Sequence, residues 1–235
     1  MQCLNEVAIK HLVLKINSVL TKRGLSDDFA GHDLFHHARV AHLTLELMEK
    51  ERILCDSYAL FISALLHDVH RLMSNDITHY VAPEESIPLV IEIIEESGVG
   101  VTDEQLDIIT ECVTKHEDYS IDDENGTDSS EALLLQDADN LDALGLEGFV
   151  RTIQYGTRLL KPFFVFGEDE CFDILAYHEG SHNNQSTVEH MKTKLVNLHS
   201  IMNTATARQY AEKRTNRLVA LIDEIEKGWS SGLIS

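Results

Sequence analysis

Apolar residues recur along most of this chain at steps of three and four, a period that predicts helices and no strands. Residues 4 to 21 carry Leu4, Val7, Ala8, Leu12, Leu14, Ile16, Val19 and Leu20 in this pattern, and Gly24 ends the run. Ser26, Asp27 and Asp28 offer turn and capping oxygens before a second helix from about Asp33 to Glu51, whose stripe is Val40, Leu43 and Leu47. One turn back from Val40 the same face holds His36, while His37 lies about 100° round the helix. Arg39 stands one turn after His36, near enough to serve the same pocket.

The third helix, about Asp56 to Asp68, is different in kind. Seven of the eight residues from Ala59 to Leu66 are apolar, which marks a helix buried on most sides. It closes on His67 and Asp68. Polar groups at the end of a buried run must be paired, ligated or turned to solvent, because an unpartnered buried carboxylate costs several kcal/mol. A polar connector, Val69 to Asp76, follows. Pro83 with Glu84 and Glu85 then opens a helix lined by Leu89, Val90, Ile93 and Ile94, which Gly98 and Gly100 stop. Thr102 caps the next, with Leu106, Ile108, Ile109 and Val113 inward and His116 at its C-terminal end. The acidic tract from Glu117 to Glu131 reads as a solvated loop.

Glu131 to Gly145 sets Asp137, Asp139 and Asp142 among leucines. Periodicity leaves open which carboxylate faces inward. From Tyr155 to Gln185 the pattern is irregular, with a loop over 161–185, and two helices, about Thr187 to Asn203 and Ala205 to Lys227, close the chain. The expected organisation is all-α: one domain over residues 1–235, with a core at about 30–160 and C-terminal helices over 186–228.

Composition sharpens this. Three prolines and 12 glycines leave helices uninterrupted, while 43% hydrophobic and 25% charged residues are ordinary for a soluble globular protein. Forty acidic against nineteen basic residues give a net charge of −21, which repels phosphate backbones and anionic lipid, so nucleic acid and membrane are not expected partners. Cys3, Cys55, Cys112 and Cys171 form no CxxC pair, and the N-terminal apolar stretch is broken by Glu6, Lys10 and Lys15, which leads to the expectation of a cytoplasmic protein with reduced thiols. A small anionic substrate would need local cations against that field. Arg39, Arg71, Lys115 and Lys194 are the candidates.

His36, His67, Asp68 and one of the later aspartates come from separate elements, each facing a bundle interior. Two imidazoles and two carboxylates without thiolates suit Mn, Mg, Co, Ni or Fe, with water completing the shell. Such an ion lowers the pKa of bound water and polarises a phosphoryl oxygen.

These residues carry a family resemblance. His32-Asp33-Leu34-Phe35-His36-His37-Ala38-Arg39-Val40, then His67-Asp68, then Asp137-Ala138-Asp139-Asn140-Leu141-Asp142 resembles the H…HD…D signature of the HD-domain superfamily of metal-dependent phosphohydrolases. Gln136 to Arg151, together with His190, Lys194-Leu195, Met202-Asn203-Thr204 and Ala211-Glu212-Lys213-Arg214, is similar to the small stand-alone members that include bacterial nucleotide pyrophosphohydrolases. The resemblance implies a compact HD bundle with His36, His67, Asp68 and Asp139 as metal ligands, and it selects Asp139 where periodicity did not. His116 and Asp142 become candidates for proton transfer. Arg71 stands where nucleoside-monophosphate phosphatases of this superfamily carry a glutamate, and Ala82 where dinuclear members carry a histidine, with His79 a loose substitute. The expectation is therefore one divalent ion and a small phosphorylated substrate, a nucleotide first among them. The alternatives are a metal- and nucleotide-binding sensor without turnover, and oxidative chemistry at a di-iron site, against which the missing histidines argue. No motif bears on oligomeric state.

Overall fold

A computed structural model describes residues 6–25, 31–73, 80–117, 129–165 and 186–232, with side chains as far as 228. The expected cap at Ser26 to Asp28, His79, most of the acidic tract (118–128) and most of the 161–185 loop (166–185) lie outside the described residues. Among the described residues the fold is all-α and contains no strand. The helices are α1 (Glu6–Lys22), α2 (Leu34–Glu51), α3 (Ser57–Leu66), α4 (Ile87–Ser97), α5 (Asp103–Lys115), α6 (Ser130–Asp142), α7 (Gly145–Arg158), α8 (Thr187–Thr193) and α9 (Ala205–Gly232). Packing divides them into two compact units.

The first unit takes the described residues of 1–139 together with 203–207. At its centre is α3, packed against α2 and α5, while α1 lies against α4. Every residue of α3 except Tyr58 is buried, as its uniform apolar run requires. Local chemistry fixes where each helix starts. The Asp33 carboxylate accepts from His36 N at 2.8 Å, and the Asp56 carboxylate accepts from Tyr58 N and Ala59 N, both at 2.9 Å. Thr102 and Gln105 exchange the reciprocal bonds of a capping box at α5. Gly98, at φ 63°, occupies the left-handed position that closes α4. On α2 the buried stripe is His36, Val40, Ala41, Thr44 and Leu47, so Thr44 fills the place expected of Leu43 by turning its hydroxyl onto Ala41 O at 2.8 Å. His37 is buried as well.

The segment after Asp68 departs from expectation. It begins as a 3-10 turn, Val69–Leu72, with Val69, His70 and Leu72 buried, because the apolar members of the run are drawn into the core. Asp137 is a structural anchor. Its carboxylate accepts from Asn203 N at 2.7 Å, Thr204 N at 2.8 Å and Thr204 Oγ1 at 2.7 Å, tying 203–207 into the first unit. Burial nonetheless raises its pKa above the usual carboxylate value against these donors.

The second unit takes the described residues of 140–202 and 208–235. Here α7 runs through to Arg158, beyond the point at Tyr155 where the sequence pattern breaks down. It packs on α8 so closely that a Cβ on Gly156 would lie 2.3 Å from Thr187 Oγ1. The helix expected over 187–203 is two pieces. After α8 ends at Thr193, residues Leu195–Ile201 continue as a 3-10 helix. Leu195, Leu198 and Ile201 are spaced by threes, which aligns them on one face of a three-residue turn. The last helix continues past Lys227 to Gly232, and Lys192 of α8 meets its Glu226 at 3.0 Å.

Candidate metal centre

Four donor groups of the first unit converge. His36 comes from the first turn of α2, on the stripe that α2 buries. His67 caps the C-terminal end of α3 and Asp68 follows it, so the most apolar helix among the described residues delivers both. Asp139 belongs to α6, the last residue before the boundary with the second unit. His36 Nε2 lies 3.2 Å from His67 Nε2, 3.3 Å from Asp68 Oδ2 and 3.4 Å from Asp139 Oδ1. His67 Nε2 lies 3.4 Å from Asp68 Oδ2 and 3.8 Å from Asp139 Oδ1. Side chains of His36 and His67 are fully buried, whereas Asp139 keeps 18% of its side chain exposed.

The tautomer of His67 follows from its surroundings. Nδ1 faces Ala64 O at 2.8 Å, and a carbonyl can only accept, so Nδ1 carries the hydrogen and the neutral ring aims the lone pair of Nε2 at the cluster. Burial works against protonating that nitrogen, but Asp68 and Asp139 overcome it and push the His67 pKa up to about 10. Burial likewise opposes ionisation of Asp68, yet His67, His32 and Arg71 hold its carboxyl well below the usual range. Asp139 is lowered too, against burial, by His67 and His36.

The donor set fits a divalent ion. Neighbouring donors around an ion with bonds of about 2.1 Å stand about 3.0 to 3.4 Å apart, which matches four of the five separations. Two lone-pair imidazoles and two carboxylates form a site for borderline or hard cations. The negative potential that draws a proton to His67 is the same one that would draw a cation there instead.

Further groups surround Asp68. His32 Nδ1 donates to Asp68 Oδ2 at 2.6 Å, and Arg71 Nε donates to Asp68 Oδ1 at 2.9 Å. The Arg71 guanidinium also pairs with Glu117, whose other oxygen accepts from Tyr80 at 3.0 Å. His116 sits with Nε2 3.6 Å from Asp68 Oδ1, and His70 with Nε2 3.6 Å from Glu117 Oε2.

No family model matches the chain. The uncharacterized protein YpgQ of Bacillus subtilis (strain 168) is 30% identical over 207 residues, which cover 86% of this chain and 87% of YpgQ. The crystal structure of an HD-superfamily hydrolase from Bacillus thuringiensis matches with a TM-score of 0.66 at 25% identity, over 96% of this chain and 98% of that one. YpgQ in complex with ADP matches with a TM-score of 0.60 at 25% identity, over 94% and 97%. A Lactobacillus plantarum protein has the same fold, with a TM-score of 0.72 at 23% identity over 97% and 100% of the two chains.

The chain belongs to the HD superfamily of hydrolases.

Within this HD hydrolase the ten residues singled out from sequence are distributed unevenly. His36, His67, Asp68 and Asp139 converge, with Arg71 and His116 directly against Asp68. Arg39 is half-buried on α2, and Lys115, half-buried at the end of α5, presents its carbonyl to Gln136 Nε2 at 2.7 Å. Asp142 and Lys194 belong to the second unit. Asp142 is buried there and accepts from Arg151 Nη1 at 2.8 Å, and Lys194 ends α8. His32, His70 and Glu117 were not singled out. His32 belongs to the His32–Val40 motif, four residues before His36, which is the signal that points to it; His70 and Glu117 fall where the sequence pattern is that of a connector and a loop.

Proposed function

We propose that this protein is a metal-dependent phosphohydrolase that cleaves a phosphoryl or pyrophosphoryl bond of a small soluble nucleotide. The observation that carries the proposal is the convergence of His36, His67, Asp68 and Asp139 on one point at donor separations of 3.2 to 3.8 Å. A divalent ion held by these four residues supplies Lewis acidity toward water and a phosphoryl oxygen.

The chain's own groups do the rest. Asp68 and Asp139 provide the negative charge that balances the ion, and the bond from His67 Nδ1 to Ala64 O keeps the ring in its donor tautomer. Water attacks phosphorus and passes its proton to a neighbouring base, the bond from that phosphorus to the bridging oxygen breaks, and the fragment that carries the bridging oxygen departs with the electron pair of that bond. Arg71 is clamped between Asp68 and Glu117, so its charge is fixed before substrate arrives. In a protein of net charge −21 that preset charge offsets the acidic field at the site, with Arg39 and Lys115 as further phosphate partners. His116, whose Nε2 lies 3.6 Å from Asp68 Oδ1, is assigned to proton transfer. A nucleotide is favoured because YpgQ, 30% identical, was solved with ADP, and Arg71 in place of a glutamate favours di- or triphosphates over monophosphates.

A panel of nucleoside mono-, di- and triphosphates with Mn²⁺ or Mg²⁺ tests this. Release of phosphate or pyrophosphate that EDTA and His67→Ala abolish is expected. A metal-loaded protein that hydrolyses none of them would refute it.

A further inference from the structure

Away from the metal centre, α1 and α4 pack side by side and present outer faces of opposite charge. Because α1 buries Leu12, Ile16, Val19 and Leu20, it turns Lys10, His11, Leu14 and Lys22 outward, all of them exposed. Two large apolar residues stand on that outer face two turns apart, Val7 at 79% and Leu14 at 60% exposure. In a chain of net charge −21 this is a local concentration of cations around exposed apolar surface. A groove of about 570 Å³ lies between this face and the end of α4, and Glu96, its acidic lining residue, is already ion-paired with Arg23. A second groove, of about 400 Å³, flanks Lys10 and Leu14 on the side of α2.

The neighbouring face carries the opposite sign. Val90, Ile93, Ile94 and Ser97 of α4 are buried, whereas Pro88, Glu92 and Glu95 are exposed, as is Glu84 on the 3-10 turn that leads into the helix. Two contacts hold the faces next to each other. Lys15 Nζ donates to the carbonyl of Gly98, the residue that ends α4, at 3.0 Å, and Arg23 pairs with Glu92 at 3.0 Å. A basic stripe fixed beside an acidic one is complementary to itself, since a two-fold axis between two copies sets α1 of each on α4 of the other and satisfies both pairings at once.

We propose that the outer faces of α1 and α4 form an isologous interface with a second copy of this chain, with Lys10, His11 and Lys22 of one copy against Glu84, Glu92 and Glu95 of the other, and with Val7 and Leu14 covered between them. This stands apart from the proposed function, because the metal donors come from α2, α6 and the end of α3. The size of the face sets the strength of the dimer. A helix of 17 residues is about 25 Å long, and two helices side by side span about 20 Å, which gives about 500 Å² on each copy and about 1,000 Å² in all. That is the lower end of specific interfaces, so the dimer is a weak one, with a dissociation constant in the micromolar range or above. The net charge of each copy opposes association at long range, but salt screens it beyond about 8 Å at physiological ionic strength, and the facing charges of the two stripes meet inside that distance.

The test is sedimentation velocity of the full chain from micromolar to near-millimolar concentration, on wild type and on two charge-reversed variants, Lys10→Glu with Lys22→Glu on α1 and Glu84→Lys with Glu95→Lys beside and on α4. Wild type should pass from monomer to dimer as concentration rises. Each variant alone should stay monomeric over that range. An equimolar mixture of the two should dimerise again, because reversed α1 then meets reversed α4 while native α1 meets native α4. Circular dichroism melts verify that the variants fold. Leu14→Ser, at an exposed position and with every charge kept, should weaken the dimer about tenfold and carries the test if a charge-reversed chain does not fold. A wild type that stays monomeric throughout would overturn the proposal. A dimer that persists in both variants, or is unchanged in Leu14→Ser, would place the interface on another face and overturn it as well, and a mixture that stays monomeric would overturn the pairing of α1 with α4.

Discussion

Asp56 offers a perturbation whose size the structure specifies. One of its carboxylate oxygens accepts from Tyr58 N and Ala59 N, both at 2.9 Å, and the other accepts from Gln105 Nε2 at 2.9 Å, which links the start of α3 to α5. Asp56→Ala removes all three bonds. Loss of an N-cap costs about 0.5 to 2 kcal/mol, and the α5 bond adds about 0.5 to 1.5, so a total near 2 kcal/mol is expected. For a protein of this size that lowers the melting temperature by about 4 to 8 °C. Asp56→Asn keeps the acceptor for the cap and should recover most of the loss at pH 7. The pH dependence has a definite sign. Burial works to raise the Asp56 pKa, but the Ala59, Gln105 and Tyr58 donors win and lower it in the folded protein. A depressed folded pKa stabilises the fold above the unfolded pKa, and that contribution is lost as pH falls through the folded value. The gap between wild type and Asp56→Ala should therefore be full at pH 5 to 7 and shrink below about pH 4. Melts followed by circular dichroism at pH 7, 5 and 3.5 measure it. An Asp56→Ala protein melting within 1 °C of wild type at pH 7, or a gap that widens in acid, would refute the reasoning.

Other outcomes follow from single positions. Asp137→Ala leaves two backbone N–H groups and a hydroxyl without their acceptor and should cost about 3 to 5 kcal/mol by urea denaturation, with Asp137→Asn losing less. Gly156→Ala forces a methyl against Thr187 and should destabilise by about 1 to 3 kcal/mol, a deficit visible in the same denaturation curves. His36→Ala should abolish tight Mn²⁺ binding in calorimetry while far-ultraviolet circular dichroism stays that of a helical protein, since the residue ends the buried stripe of α2 and does not interrupt it.

The fold was largely legible because helical period and capping chemistry pointed the same way. Thr102 and Gly98 mark boundaries where the structure has them, whereas Pro83 opens a 3-10 turn, Pro83–Ser86, and α4 starts only at Ile87; the apolar run of α3 signals a helix enclosed on nearly all sides. Legibility failed where two helical periods compete. Leu195, Leu198 and Ile201 fit either an α-helical or a three-residue repeat, and only the turn at Lys194 decides between them. Among the three aspartates of α6 the period was silent, and the structure separates them by what each meets: backbone donors for Asp137, the histidine cluster for Asp139, Arg151 for Asp142. His70 and Glu117 were hidden for a related reason. A polar residue in a connector is normally hydrated, so its type alone carries no signal. What makes His70 informative is that Val69 and Leu72 pull the connector into the core, burying an imidazole that a solvated loop would have left in water. That cost is borne beside Asp68, the residue with most claims upon it, which answers to His32, Arg71, His36 and His116 at once.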